Sequence, residues 1–166
     1  MNTRVNYYVR QLRQVYEGEN WNGESYVEKL KSVNEQGAFL QPYPGNHSVA
    51  ELLWHCIYWR TVILKRLQGD NEFQKGTEKE QNFLPLHDLK KKGWSELLAE
   101  LSRTQEELVN FLNTKTDEFL DAEYVQGLTN EYNVEGVVQH DHYHLGQMGL
   151  VISILKKKEE FEPWIQ

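Results

Sequence analysis

Six histidines are spread through the 166 residues, and two of them, His140 and His144, stand four apart in the run GVVQHDHYHLGQMGL. Residues four apart on a helix project side by side, so both imidazoles can reach one metal ion. Around them Val134, Val137, Val138, Leu145, Met148, Val151, Ile152 and Leu155 recur at three- and four-residue steps, the period of a helix face turned to a core. The two histidines share that face. His142 is two residues from each, about 200° around a helix of 3.6 residues per turn, and cannot join them. Imidazoles on an apolar stripe need partners, so the pair is open to two readings: ligands of a metal, or core histidines satisfied by hydrogen bonds. His55, three residues after Leu52 and four before Trp59, also lies on an inward face. Alone it reads as a hydrogen-bonded core residue, and beside His140 and His144 it would be a third ligand.

The elements that must position these side chains are helical. The spacing predicts a helix over residues 133–158 with Asn133 as N-cap, Glu135 in its first turn, lysines 156–158 at the negative end of its dipole, and Pro163 barring extension. Ser48 and Glu51 form a Ser-x-x-Glu capping box ahead of Val49, Leu52, Leu53, Cys56, Trp59, Ile63 and Leu67, so a second long helix starts there and stops at Gly69. Val5, Tyr8, Leu12 and Val15 mark a first helix over residues 4–17. Tyr26, Val27, Leu30 and Val33 mark a short piece ending near Gly37, read as a C′ glycine. Residues 37–48, with Pro42, Pro44 and Gly45, have the chemistry of a loop. Trp94, Leu97, Leu98, Leu101, Leu108, Phe111 and Leu112 define a core-facing helix to Asn113. Residues 117–122 add one turn and residues 124–129 a short extended piece. The polar stretch 70–93, interrupted by Gly76 and Pro85, is a long connection, either a cover or lid or a passive crossover. Four long helices and one long crossover predict an all-α four-helix bundle, in one domain spanning residues 1–166.

Composition narrows the function. Hydrophobic residues make up only 39%, but 5 Trp, 9 Tyr and 6 Phe supply large buried areas. A net charge of −7 argues against nucleic acid as a partner, and the basic runs at 90–92 and 156–158 read as solvated helix ends. The longest apolar stretch, residues 149–155, is too short to span a bilayer, and the N-terminal residues do not resemble a signal peptide. A cytoplasmic protein with no membrane partner is the expectation. The single Cys56 forms no internal disulfide, which suits a reducing compartment, and it reads as a small buried hydrophobe.

The combination of PGNHSVAELLWHCIYWR at 44–60 with GVVQHDHYHLGQMGL at 136–150 resembles the DinB/YfiT-like superfamily of bundle metalloproteins. The likeness also takes in NFLPL at 82–86 and the Trp94 helix, so it spans most of the chain. It implies a DinB-like four-helix bundle and a metal held by His55, His140 and His144, followed by Gly146 and Gln147. Three neutral imidazoles leave positions open for water or substrate, the pattern of a catalytic rather than a structural site, which would ordinarily have four protein ligands. Imidazoles suit zinc, nickel, copper or iron, and a divalent ion, zinc or nickel, is the expectation. Asp141 and Gln147 are the candidate catalytic residues: Asp141 as a general base or else part of a solvated helix face, Gln147 as a bond to a ligand or a pocket wall, or else a polar contact between helices or across a dimer. Glu51 either orients His55 or only caps its helix. Tyr58, Tyr143 and Trp94 are candidate walls or plain core.

Three functions are consistent with such a site. The first is a hydrolase of a small molecule using metal-activated water. The second, implied by the resemblance alone, is transfer of a low-molecular-weight thiol of the bacillithiol or mycothiol type, the metal activating the thiolate. The third is a non-catalytic metal-binding stress-response module. The resemblance also implies a homodimer.

Overall fold

A computed structural model of the protein describes residues 2–70, 72–73 and 81–161. Four long helices carry it: α1 (Thr3–Glu17), α4 (Val49–Leu67), α6 (Trp94–Asn113) and α8 (Asn130–Phe161). Between them lie the short helices α2 (Tyr26–Leu30), α3 (Glu35–Ala38), α5 (Leu86–Lys92) and α7 (Asp117–Asp121), and a hairpin of β1 (Glu123–Val125) and β2 (Leu128–Thr129). The architecture is the all-α one expected. Among the described residues no helix is long and apolar enough to cross a membrane.

The capping box is formed as the sequence predicts. Ser48 Oγ accepts the Glu51 N–H, while the Glu51 carboxylate accepts from the Ser48 N–H at 2.8 Å. Two of the first-turn donors of α4 are thereby satisfied, and His55 follows one turn later on a fixed helix.

Helix α8 begins three residues earlier than the periodicity suggests. Thr129, not Asn133, supplies the cap, its Oγ accepting the Tyr132 N–H at 3.3 Å. The hairpin turns through Gly127, whose φ of 80° suits glycine. It delivers the Asn130 N–H to the Ala122 carbonyl at 2.8 Å and the Asn130 side chain to the Phe119 carbonyl at 3.0 Å. Asn133 lies inside the helix, 3% exposed. Gly37 also departs from expectation: it sits within α3, its N–H bonded to the Asn34 side chain at 2.8 Å, because Asn34 starts a new turn where the apolar pattern had suggested an end. Of the long connection, residues 71 and 74–80, Gly76 among them, lie outside the described residues, as does Pro163.

The core falls into two apolar clusters stacked along the bundle. One gathers Val15, Leu53, Cys56, Leu97, Leu145 and Met148, the other Val5, Leu12, Ile63, Leu108, Val134 and Val137. A polar layer separates them. Arg60 and Asp141, both fully buried, pair at 2.8 Å. Arg60 also donates to Gln105 Oε1 at 2.9 Å, Gln105 donates to the Leu12 carbonyl at 3.0 Å, and the Tyr26 hydroxyl reaches Asp141 Oδ1 at 3.2 Å. One charge pair thus ties α1, α2, α4, α6 and α8 together at a single height. Burying it is tolerable because each charge meets its opposite and further hydrogen bonds.

Candidate metal centre

The histidines lie at the edge of that polar layer. On α8, His140 and His144 flank Asp141; on α4, His55 precedes Arg60 by little more than a turn. One nitrogen from each of the three imidazoles falls within 4.8 Å of the others. His140 Nε2 and His55 Nε2 are 3.1 Å apart. Two nitrogens on a tetrahedral ion with metal–nitrogen bonds of about 2.0–2.1 Å stand about 3.3 Å apart, so this spacing is close to what a shared ion would set.

Hydrogen bonds decide which nitrogen is left to ligate. His144 Nδ1 lies 2.7 Å from Gln147 Oε1, and His55 Nδ1 lies 3.4 Å from the Asn82 carbonyl. Both neighbours only accept, so each Nδ1 carries the proton and each Nε2 keeps its lone pair. His140 Nδ1 is buried without a hydrogen-bond partner among the described residues. Phe83 stacks on His55 at 4.3 Å and 12°, with His47 on the other face of Phe83 at 4.3 Å and 7°. Trp54 anchors the same segment, its Nε1 donating to the Gln81 carbonyl at 2.7 Å. The described end of the long connection therefore covers one side of the site.

Burial, followed by the neighbouring imidazoles, pushes the His55 pKa down to about 4 and that of His140 down to about 3. Burial also lowers His144. All three are neutral near pH 7, the state in which imidazole ligates. In the metal-free chain the unfolded histidines take up protons near pH 6.5, well above the folded ones. Stability is therefore fully present above that value and is lost as the pH falls toward 4. Urea denaturation of metal-free protein is expected to show a loss on the order of 2 kcal/mol between pH 7 and pH 5. A gain on acidification would contradict a neutral, buried trio.

Gln147 bonds a histidine of the trio, one of its expected roles. Asp141 does not lie on a solvated face: it is 0% exposed, and both of its oxygens accept from Arg60. Its carboxylate ties α8 to α4 through Arg60. Glu51 is occupied by Ser48 and by Gln41 Nε2 at 3.2 Å, in keeping with capping. His142 stands apart from the cluster. Tyr143 is 64% exposed, while Tyr58 and Trp94 are core. The aromatic walls are Phe83 and Trp59, the latter 5.9 Å from His140; Trp59 follows His55 by four residues, a spacing that could have flagged it.

Cys56, His140 and Asp141 also come within reach of one another. Burial raises the Cys56 thiol far above its ordinary pKa, and both oxygens of Asp141 are taken up by Arg60, so the three imidazoles are the better-suited donor set. Cys56 is the small buried hydrophobe expected. Arg60 and Asp141 were the pair missed, although the signal was present. Arg60 follows Cys56 by four and precedes Ile63 by three, and Asp141 follows Val137 by four and precedes Leu145 by four. Both stand in the middle of apolar stripes.

Compared with protein families, residues 11–148 match the DinB superfamily, a span that includes all three histidines. No curated protein matches the chain.

Proposed function

Since the chain belongs to the DinB superfamily, we propose that His55, His140 and His144 bind one divalent transition metal, zinc or nickel, and that the protein is a cytoplasmic hydrolase of a small molecule. The observation that supports this most directly is the convergence of one nitrogen from each imidazole within 4.8 Å, with two of the rings held by bonds at their other nitrogen. Bound there, the ion would acidify a water toward a pKa of about 7 and polarise a substrate oxygen. The chain's own groups do the rest. Gln147 fixes the ring of His144, Asn82 and Phe83 fix that of His55, and the Arg60–Asp141 pair holds α4 and α8 in the register that makes the rings meet. Trp59 and Phe83 pack beside the trio.

One observation favours a second reading, transfer of a low-molecular-weight thiol to an electrophile. Two cavities lie along α8, one before and one after the histidine pair in the chain. One of about 400 Å³ reaches His140, and one of about 360 Å³ is lined by His47 and Gln147, which is room for two reactants. Metal-loaded protein given an ester and amide panel, beside a cytoplasmic thiol with a bimane, separates the two. Metal-dependent hydrolysis alone supports the first reading; conjugation without hydrolysis replaces it with the second.

A homodimer belongs to the same proposal. Tyr132, Tyr143 and Leu150 are each at least 60% exposed on α8, an apolar stripe suited to a second copy. Light scattering is expected to give twice the chain mass, and a single monomeric species would refute the dimer.

A further inference from the structure

The larger of the two clefts beside the site has features that the metal does not explain. It runs between α4 and α8 under the β1–β2 hairpin, has a volume of about 400 Å³, and ends at His140. Trp59, Ile63 and Tyr124 line it together with Arg66, whose guanidinium lies over the Trp59 ring at 5.8 Å, and aromatic side chains beside a helix backbone suit a flat ring. Gly136 forms its floor on α8. That glycine has no positive φ, and a Cβ built on it would meet nothing within 4 Å. Neither backbone conformation nor close packing calls for glycine, which costs a helix interior about 1 kcal/mol relative to alanine. What it does is leave the cleft open. Asn133, one turn earlier and 3% exposed, lines the same cleft, and its amide nitrogen is buried without a hydrogen-bond partner among the described residues, a donor that a ligand oxygen would satisfy.

We propose that this cleft is the recognition pocket for the aromatic ring of a small substrate whose polar, metal-binding group reaches the three histidines at its inner end. The ring is held between Trp59 and Tyr124 over Gly136. The proposal rests on the metal reading for the substrate's polar end and on the cleft alone for its ring.

Two hydroxamates that differ only in the body attached to the same chelating group test it by calorimetry on metal-loaded protein. Benzohydroxamate is expected to bind at least about tenfold more tightly than acetohydroxamate, because only its ring enters the cleft. Gly136→Leu, which fills the floor, is expected to retain its metal and bring the ratio to about one. Tyr124→Ser, which removes a wall, is expected to lower the ratio as well. Equal affinities in the unaltered protein, with both compounds binding only in the presence of metal, would overturn the pocket and leave the metal reading standing.

If the protein takes up no metal, the metal reading fails; in that case, or if neither hydroxamate binds, saturation-transfer NMR with benzyl alcohol on the full chain decides the pocket separately. Contact that is lost in Gly136→Leu supports it; equal contact in both proteins overturns it. A Gly136→Leu protein that turns from dimer to monomer with an unchanged hydroxamate ratio would show that a second copy fills the cleft, which also overturns the proposal.

Discussion

Purified His144→Ala protein is expected to carry almost no transition metal where the unaltered chain carries close to one ion per molecule, as read by elemental analysis after desalting. The expectation follows from geometry. With His144 gone, only His55 and His140 remain of the trio, their Nε2 atoms 3.1 Å apart, and two neutral imidazoles bind far more weakly than three. His55→Ala and His140→Ala should behave alike. His142→Ala should keep its metal, because that ring stands outside the cluster. Gln147→Leu, which removes the acceptor 2.7 Å from His144 Nδ1, is expected to weaken metal affinity about 10- to 100-fold without abolishing it. Equal metal content in His144→Ala and the unaltered protein would reject the centre.

The second large effect is on stability. Arg60→Met alone leaves Asp141 charged, fully buried and without its 2.8 Å partner, and Asp141→Leu strands the guanidinium in the same way. Each is expected to cost about 3–5 kcal/mol, the usual penalty for breaking a buried pair from one side. In a chain of this size that lowers the melting temperature by roughly 10 °C. The double variant Arg60→Met/Asp141→Leu should recover much of the loss, since no buried charge is then unpaired. Recovery should stay incomplete, because Gln105 Oε1 and the Tyr26 hydroxyl lose partners. Thermal and urea denaturation of the four proteins measures both effects. Singles within about 1 kcal/mol of the unaltered protein would mean that the pair does not hold the bundle.

The same pair shows where reading a sequence succeeds and where it stops. Ser48 and Glu51 announced α4 because a capping box is a contact between residues three apart. The apolar steps of α6 announced Trp94–Asn113 for a similar reason. The start of α8 was misplaced because Asn133 looks like a cap in isolation, whereas the hairpin had already turned the chain at Thr129. Gly37 was misread in the same way, a helix end by composition that Asn34 converts into a helix. Asp141 was read as base or surface because a charged residue is ordinarily solvated, and only its partner on another helix makes the inward position tolerable.

What the sequence determined by itself is therefore local and periodic: the long helices, the face each presents, the pairing of His140 with His144 on one side of one helix, and the exclusion of His142. Residues a few positions apart share one hydrogen-bonded backbone, so their relative placement is a property of the helix. Whether His55 meets a ring 85 positions away, whether Asp141 faces Arg60, and whether a cleft opens beside Gly136 depend on how separate helices pack. Those outcomes were decided only by the tertiary structure, because packing brings together groups that no spacing along the chain relates.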